Sequence, residues 1–376
     1  MAPVTSIEDF RRLARKRLPR AVFDYVEGGS YEEQTLRRNR YDLQALKLQQ
    51  RVMVDLSARA LSTTMVGQAA AMPVALAPVG LAGMTHPNGE ILAARAARAF
   101  GVPACLSTLS LASIEDVAEA SGGPFWFQLY PLRDRVFCRS MIERAEAAKC
   151  PALVMTLDLH VRSQRHRETK GGLSIPPRIT LSNMIDVALH PRWAMSMLAS
   201  KRFSFGNLVD VAGRNLLAQS AWLKEQFDPS IDPDVIAWVR DLWPGKLVLK
   251  SILHPDDAKM AVTLGADAIV VSNHGGRQCD GTSSTISVLP RIKEAVGDAV
   301  EVYFDGGVRT GIDVLKALGL GADACLIGRA YLYGLAADGE AGVTRVLQLI
   351  RQELDDALAL TGAKDVGALP ADLVGR

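Results

Sequence analysis

The chain has 376 residues, of which 48% are hydrophobic and 22% charged, the proportions of a globular protein that buries a large core. Its 43 Lys and Arg residues nearly balance 41 Asp and Glu residues, so the formal net charge of +2 argues against bulk binding of nucleic acid. The five cysteines are scattered and odd in number, which favours a reducing compartment and predicts no metal site. Because no apolar signal core or long apolar run is present, we expect a cytoplasmic protein, or one attached peripherally to the inner face of the cytoplasmic membrane.

Two helices are predicted in an N-terminal helical extension, residues 1–72. Ser6, followed three residues later by Asp9, has the pattern of a capping box before an apolar helical face. Proline is favoured in the first turn of a helix and glycine just after its end, so the second helix is predicted from Pro19 to Gly28.

Eight short apolar runs follow the extension and alternate with alanine-rich stretches typical of helices. The runs are Val74–Ala77, Ala104–Leu106, Phe125–Phe127, Leu153–Met155, Leu247–Leu249, Ala268–Val271, Val302–Phe304 and Ala324–Ile327. Most lie ~20–35 residues apart, the length of a βα unit, which predicts an α/β fold, a (β/α)8 TIM barrel, in one domain over residues 1–376. An open doubly wound sheet is the alternative, but no G-x-G-x-x-G sequence follows the first strand. A periodic helix that stops at Gly362 closes the chain.

The connection after the fourth predicted strand is too long for one helix, which indicates an insertion at about residues 171–230. Within it, residues 184–198 are rich in leucine, isoleucine, methionine and tryptophan, and Lys201 and Arg202 follow. Two interpretations stay open. The segment is either a lid over the active site or an interfacial segment, with apolar groups in lipid and cations at the headgroups.

The run Ser272–Gln278 begins where the sixth predicted strand ends. A neutral imidazole such as that of His274 accepts a proton near pH 7, and the guanidinium group of Arg277 can hold a carboxylate in a fixed orientation. The two glycines between them let a flat ligand approach the backbone. This combination suits the oxidation of a 2-hydroxy acid, and the plain alternative is a polar turn after a core strand.

Glycine and arginine also follow the last two predicted strands, in Asp305–Arg309 and at Gly328 and Arg329. Barrels commonly bind phosphate at these positions, although phosphosugar and flavin enzymes share the signal and a structural turn is the alternative. Lys250 ends the fifth strand, where it could stabilise negative charge on a reduced flavin or could simply be solvated.

Asp158 and Arg165 follow the fourth strand. Asp158 could hold the imidazole of His274 in one tautomer, and Arg165 could help to clamp a carboxylate, unless Asp158 and Arg165 simply pair with each other. Tyr25 and Tyr130 could each donate a hydrogen bond to a ligand oxygen, or could be packed aromatic residues with the hydroxyl at the surface.

Together these motifs resemble the FMN-dependent 2-hydroxy acid oxidoreductases, and within that family most of all the bacterial quinone-linked L-lactate dehydrogenases. The similarity extends nearly end to end and includes Leu18–Tyr25, Ala77–Leu81, Phe127–Tyr130, Ser272–Gln278 and Asp305–Arg309. The resemblance implies FMN as cofactor and oxidation of an L-2-hydroxy acid to the 2-keto acid. It also implies quinone or another electron acceptor, and a homo-oligomer, often a tetramer.

The resemblance further implies a role for each matching residue. The implied catalytic and substrate-binding residues are His274 as the base, Asp158 as the carboxylate that orients it, Arg165 and Arg277 for the substrate carboxylate, and the phenols of Tyr25 and Tyr130. The implied contacts with the flavin or its phosphate are Pro78, Val79, Gly80, Ser107, Gln128, Thr156, Lys250, Ser272, Asp305, Gly307, Arg309, Gly328 and Arg329.

The chain departs from the family's pattern beside the arginine of the fourth loop. His160 and Ser163 stand where proline and glycine are usual, and Arg162 and His166 add polar bulk. These changes leave the substrate side chain open between lactate-like and mandelate-like acids.

Two further positions and three rival hypotheses complete the prediction. Leu109 stands where glycolate oxidase has tryptophan, which leaves room for a larger substrate, and Gly80 stands where oxidases tend to have alanine, which favours a dehydrogenase over an oxygen-using oxidase. The rivals are a barrel isomerase or phosphosugar enzyme, a non-catalytic flavoprotein, and a flavin-dependent maturation enzyme on the same scaffold.

Overall fold

The computed structural model describes residues 3–173 and 180–375, so residues 1–2, 174–179 and 376 of the predicted domain and insertion lie outside the described residues. The strands are β1 (Lys47–Leu48), β2 (Thr63–Met65), β3 (Gln68–Ala70), β4 (Val74–Leu76), β5 (Cys105–Ser107), β6 (Trp126–Leu129), β7 (Ala152–Thr156), β8 (Lys246–Ile252), β9 (Ala268–Val271), β10 (Glu301–Phe304), β11 (Ala324–Ile327) and β12 (Val374–Gly375). The helices are α1 (Ile7–Arg17), α2 (Arg20–Glu27), α3 (Gln34–Ala45), α4 (Gly89–Phe100), α5 (Ile114–Ser121), α6 (Arg135–Ala147), α7 (His166–Gly171), α8 (Leu181–Ala188), α9 (Pro191–Leu198), α10 (Val209–Ala212), α11 (Leu216–Gln226), α12 (Pro233–Leu242), α13 (Pro255–Thr263), α14 (Thr285–Val296), α15 (Gly311–Gly319) and α16 (Arg329–Thr361).

Strands β4 to β11 form one parallel sheet that curls into a barrel, in the order β4-β11-β10-β9-β8-β7-β6-β5. A parallel bridge between Leu76 and Ala104 joins the first and last strands of this order. Each predicted apolar run contributes one strand, and the runs are apolar throughout because helices cover the outside of the sheet while side chains fill the inside. The predicted (β/α)8 fold is therefore confirmed, and the carboxyl ends of its strands meet at one mouth.

Apolar and aromatic packing closes the opposite, amino-terminal end of the barrel. The hairpin of β2 and β3 lies across this end and buries Met65 in the cluster that fills the interior. Trp126 and Tyr303 stack there with ring centroids 6.2 Å apart, and the indole N–H of Trp126 donates to Gln68 of the hairpin over 2.5 Å. The predicted helical extension therefore also contains strands, and its hairpin plugs the barrel.

The helix signals at both ends of the chain are confirmed. Ser6 and Asp9 form the capping box of α1, while Pro19 immediately precedes α2 and Gly28 follows it. Gly362 ends α16 in a left-handed conformation with φ of 70°. Because α16 packs against both α1 and α4, it joins the N-terminal extension to the outer layer of the barrel.

The long connection between β7 and β8 holds α7 to α12. One side of this insertion covers the barrel mouth, where Phe205, Leu216 and Leu223 line the same cavity as the strand ends. The other side, on and just after α8 and α9, is apolar and open to solvent: Leu189 is 73% exposed and Leu198 is 81% exposed. The insertion thus has one face that fits the lid interpretation and a second, apolar face that fits the interfacial interpretation.

The two cations that follow this segment differ from each other. Lys201 is exposed, but Arg202 forms a two-pronged ion pair with Asp116 in α5, with N–O distances of 3.0 and 2.6 Å. Arg202 is thus held by an outer helix of the barrel, and of the two cations in the interfacial interpretation only Lys201 is exposed. Among the helices of the described ranges, none combines the length and the apolar character that a membrane crossing needs.

Candidate active site

His274 lies at the barrel mouth in the loop that follows β9. Its backbone has φ of 57°, and Gly275 and Gly276 continue with φ of 63° and 74°, so three successive residues are left-handed and the loop turns sharply. The imidazole Nδ1 lies 3.0 and 3.2 Å from the two carboxylate oxygens of Asp158, in the loop after β7. Asp158 therefore pairs with His274, and the alternative pairing with Arg165 is not the one found.

The electrostatics of this pair suit a proton acceptor. Burial lowers the pKa of His274, and the neighbouring Asp158 carboxylate offsets only part of that effect. Burial also tends to raise the pKa of Asp158, but its contacts with His274 hold that pKa below the ordinary value. The pair is thus a carboxylate and a neutral imidazole at neutral pH, with Nδ1–H donated to Asp158 and the lone pair on Nε2.

A buried glutamate that the sequence analysis did not single out holds the arginines of the mouth together. Glu168 lies in the first turn of α7 and is 1% exposed. Its Oε1 accepts from Arg277 at 2.7 Å and from Arg165 at 3.4 Å, and its Oε2 lies 3.6 Å from the guanidinium group of Arg162. The i, i+3 spacing of Arg165 and Glu168 was the available sequence signal. Without this carboxylate three guanidinium groups would repel one another.

Arg165 and Arg277 keep the capacity to bind an anion. Arg277 donates through Nη1 to the backbone oxygens of Tyr25 and Gly28, at 2.8 and 2.9 Å, so with the bond to Glu168 it uses three of its five N–H groups. Burial, and then the nearby Arg277, lower the pKa of Arg165 to about 10, which leaves it charged at neutral pH. Two fixed guanidinium groups beside an imidazole form a site for a carboxylate.

The two predicted phenols lie in the same cavity. The guanidinium carbon of Arg277 is 4.9 Å from the ring centroid of Tyr25, and the Tyr25 hydroxyl donates to the backbone oxygen of Gly80 over 2.8 Å. Burial raises the pKa of Tyr25 and of Tyr130, so both remain protonated donors at neutral pH.

Polar side chains on the barrel strands form the remaining part of the site. Lys250 is buried, donates to Ser272 Oγ over 2.7 Å and lies 3.1 Å from an oxygen of Asp305. Ser107 donates to Gln128 Oε1 over 3.0 Å, which leaves the buried Nε2 of Gln128 without a hydrogen-bond partner among the described residues. A buried donor without a partner indicates a position where a ligand supplies the acceptor.

The glycines after β10 keep the backbone accessible. Gly306 and Gly307 have φ of 105° and 99°, a conformation that other residues rarely adopt. A Cβ atom on Gly307 would also lie 2.9 Å from the backbone oxygen of Asn39. This turn therefore needs glycine, and because neither glycine carries a side chain its backbone is accessible to an anion in the cavity.

The two arginines predicted near a phosphate are held in different ways. All three guanidinium nitrogens of Arg329 donate to backbone oxygens, two at the end of α2 and one in the loop after β9. Arg309 lies over the ring of Tyr333, with 5.6 Å between guanidinium carbon and ring centroid. Arg329 thus joins loops and adds positive charge, while Arg309 has more donors left for a direct contact.

Most of the predicted site residues line one cavity at the mouth. They are Tyr25, Pro78, Val79, Gly80, Tyr130, Thr156, Arg165, Lys250, His274, Arg277, Asp305, Gly307, Arg309, Gly328 and Arg329. The other four, Asp158, Ser107, Gln128 and Ser272, lie behind that lining, where they bond to His274, to Lys250 or to each other.

An oxidoreductase that holds a flavin at the mouth of a (β/α)8 barrel is the class of protein that this fold and cavity define. The chain belongs to the FMN-dependent dehydrogenase family, whose model matches residues 14–376. An L-lactate dehydrogenase of Caulobacter vibrioides (strain NA1000 / CB15N) is 50% identical over 369 residues, which cover 97% of this chain and 96% of that protein.

Solved structures agree with the family assignment. The crystal structure of the monotopic membrane protein (S)-mandelate dehydrogenase is 38% identical and superposes with a TM-score of 0.95 over 99% of both chains. A crystal structure of mandelate oxidase is also 38% identical, with a TM-score of 0.84 over 99% of this chain and 98% of the other.

The family membership confirms FMN as the cofactor, and the residues present fit it. The open glycine turn of Gly306 and Gly307 suits a phosphate, and Arg309 can neutralise its charge. The unpartnered Nε2 of Gln128 and the buried ammonium group of Lys250 suit the polar edge of the isoalloxazine ring.

Proposed function

We propose that the protein oxidises an L-2-hydroxy acid to the 2-keto acid, with His274 as the base and FMN as the first electron acceptor. The observation that carries this proposal is the partly buried pair of His274 and Asp158 beside two arginines that can bind an anion. An isomerase or phosphosugar enzyme would use the phosphate site but would have no role for that arrangement.

Each group in the cavity has a part in this reaction. Arg165 and Arg277 bind the substrate carboxylate, and the protonated phenols of Tyr25 and Tyr130 donate to substrate oxygens. Nε2 of His274 accepts the proton that the substrate releases, and Asp158 stabilises the resulting imidazolium cation. FMN, when bound, takes up the two electrons that the substrate loses. Phe205 and its apolar neighbours on the insertion line the mouth, where they would limit the access of water.

Anaerobic mixing of the purified holoenzyme with single hydroxy acids tests this proposal. We expect a yellow protein whose visible absorbance is bleached by an L-2-hydroxy acid and not by its D-enantiomer. Because relatives carry the names L-lactate dehydrogenase and mandelate dehydrogenase, L-lactate and (S)-mandelate are the first acids to test. A flavin that no L-2-hydroxy acid reduces would instead support the non-catalytic flavoprotein or the maturation enzyme.

The electron acceptor in this proposal is a quinone, with an oxygen-using oxidase as the second candidate. The apolar outer face of α8 and α9 favours quinone, because it lies on the same insertion that covers the cavity. A mandelate oxidase is among the similar solved structures, which supports the oxygen-using oxidase as the second candidate. After anaerobic reduction, a short-chain quinone should reoxidise the flavin at least about tenfold faster than air-saturated buffer does, a difference of ~1.4 kcal/mol in barrier. Equal or faster reoxidation by oxygen would favour the oxidase.

The same apolar face supports peripheral attachment to a membrane. Leu181, Met184, Leu189, Met195 and Leu198 are each more than half exposed, and burying such a side chain is worth about 1.5–3 kcal/mol. The likeness to a monotopic membrane (S)-mandelate dehydrogenase agrees with this proposal.

Vesicle sedimentation tests the attachment. We expect the holoenzyme to sediment with anionic phospholipid vesicles, and the double variant Leu189→Gln, Leu198→Gln to remain in the supernatant. Leu360→Gln is a matched control, because Leu360 is 63% exposed on α16 and lies outside the insertion. Equal sedimentation of the double variant and the control would contradict attachment through this face.

A further inference from the structure

A second cavity of about 730 Å³ opens beside the active site and shares Arg162, Arg165 and Phe227 with it. Its lining is strongly basic, since it also includes Arg133, Lys170 and Lys224. No Asp or Glu occurs among the described residues that line it. The cavity is therefore a positively charged vestibule of the active site, and we call it the basic vestibule.

Three cations of the basic vestibule have no acidic partner among the described residues. Arg133, Lys170 and Lys224 are exposed, and no ion pair involves them within the described parts of the chain. Arg162 and Arg165 share the carboxylate of Glu168, and the ring of His166 lies 3.8 Å from the carboxylate of Glu32. A cleft lined by one sign of charge concentrates ligands of the opposite sign.

Arg162 stands at the boundary between the vestibule and the active-site cavity. Its acidic contact is the long one, 3.6 Å to Oε2 of Glu168, and that oxygen has no hydrogen-bond partner among the described residues. A charge-assisted hydrogen bond would be ~2.7–2.9 Å long. With 26% of its side chain exposed, Arg162 is therefore only loosely held and open to a ligand.

The positive charge at this boundary matches a ligand that has two anionic groups. Glu168 is the one carboxylate that Arg162, Arg165 and Arg277 share. A substrate carboxylate on Arg165 and Arg277 neutralises one more positive charge and leaves Arg162 unbalanced. Because Arg162 and Arg165 both reach the carboxylate of Glu168, they also lie within the span of a short dicarboxylic acid.

We propose that the preferred substrate is an L-2-hydroxy acid with a second anionic group, and that Arg162 binds that group at the entrance to the basic vestibule. The inference rests on the proposed oxidation of an L-2-hydroxy acid at His274. It assigns Arg162 as the residue that selects for a dicarboxylate, with one carboxylate on Arg165 and Arg277 and the other on Arg162.

The test compares L-2-hydroxyglutarate with L-2-hydroxyvalerate, which has the same number of carbon atoms and lacks the second carboxylate. For the holoenzyme we expect the ratio of kcat/KM for anaerobic flavin reduction, diacid over monoacid, to be about ten or more. One hydrogen bond to a charged group accounts for a factor of this size. Arg162→Gln should lower this ratio about tenfold, and Arg162→Lys should keep part of it. Arg291→Gln removes an exposed arginine from α14, outside both cavities, and should leave the ratio unchanged.

Three outcomes would overturn the inference. They are a ratio near one in the holoenzyme, a ratio that Arg162→Gln does not change, and a ratio that collapses at roughly 0.5 M salt, where screening removes long-range attraction but spares a direct contact. Should Arg162→Gln fail to fold, inhibition of the unaltered holoenzyme decides: glutarate must inhibit at least about tenfold more strongly than valerate. If the monoacid bleaches the flavin and the diacid is no better, only this inference fails. If neither acid nor any other L-2-hydroxy acid bleaches it, the proposed function fails as well.

Discussion

The two ends of the barrel are built from the same eight strands but differ in the segments that cover them. At the amino-terminal end, Trp126 and Tyr303 stack beneath the β2–β3 hairpin, and the interior is filled with apolar side chains. At the carboxyl end the strands lead to paired polar groups, such as the neutral His274 with Asp158 and the ion pair of Lys250 with Asp305.

This difference separates stability from chemistry. Aromatic packing at the closed end contributes free energy of folding and touches no ligand. The buried charges at the open end cost desolvation energy, and in the proposed mechanism they position the reacting groups. A substitution at one end should therefore change a quantity that a substitution at the other end leaves almost unaltered.

The largest effect is expected at the open end, from His274→Gln. The variant keeps a polar side chain of similar reach but has no group that accepts a proton, so we expect flavin reduction to slow by about 10³-fold or more. Stopped-flow absorbance measures the rate, and the yellow colour and melting temperature serve as controls. A variant that still reduces its flavin at the original rate would remove His274 from the mechanism.

The matching substitution at the closed end is Trp126→Ala. Trp126 is fully buried, so its loss should lower the free energy of unfolding by about 3–5 kcal/mol. Denaturant titration measures this loss, and Trp126→Phe should recover part of it. The rate of flavin reduction in the folded variant should stay within about twofold, since Trp126 does not line the active-site cavity. A large loss of rate at full folding would contradict the division between the two ends.

A smaller effect on rate is expected from Asp158→Asn. The amide can still accept the Nδ1–H bond, but it no longer stabilises the imidazolium cation, so flavin reduction should slow by about 10²-fold. The pKa of His274 should fall further, because Asp158 is the group that raises it. Its direct readout is the NMR titration of His274, and an unchanged pKa would show that the contact is not electrostatically significant.

Much of this arrangement could be predicted from local sequence. The eight strands were marked by apolar runs between helical stretches, and the carboxyl-end position of His274, Lys250 and Asp305 followed from where those runs stop. The pairing of His274 with Asp158 followed from chemistry, since both loops meet at one mouth. Local patterns sufficed because parallel strands in a barrel place sequence-distant ends side by side.

The rest depended on contacts that local pattern does not encode. Glu168 looked like any acidic residue in a first helical turn, and only the folded mouth brings Arg277 to its side. The strands of the β2–β3 hairpin are too short to give a periodic signal. Arg329 donates hydrogen bonds to backbone oxygens that are distant in sequence, which its local pattern does not indicate. The ion pair of Arg202 with Asp116 was not predicted either, because it joins the insertion to α5, which is distant in sequence.

Glu168→Gln tests whether the glutamate positions the arginines. The amide keeps the shape and one acceptor, but it leaves Arg162, Arg165 and Arg277 without their shared negative charge. We expect a loss of about 2 kcal/mol in the free energy of unfolding, because a hydrogen bond to a charged group is weakened. We also expect a higher KM for hydroxy acids with a smaller change in kcat, because substrate binding loses its fixed arginines. Glu168→Asp should restore part of the KM, which a purely structural defect would not predict.

The smallest effect should be the response of the unaltered enzyme to pH. His274 must be neutral to accept a proton, and because burial lowers its pKa below the ordinary value of 6.5, the neutral form predominates at neutral pH. We therefore expect kcat/KM for flavin reduction to change by less than about twofold between pH 7 and 8, and to fall only as pH drops through the lowered pKa. The sign follows from the protonated form being inactive. If kcat/KM instead begins to fall on acidification already above pH 7, the effect of Asp158 on the pKa of His274 outweighs that of burial. His274 would then be a cation in the resting enzyme, and another group at the open end of the barrel would have to accept the proton.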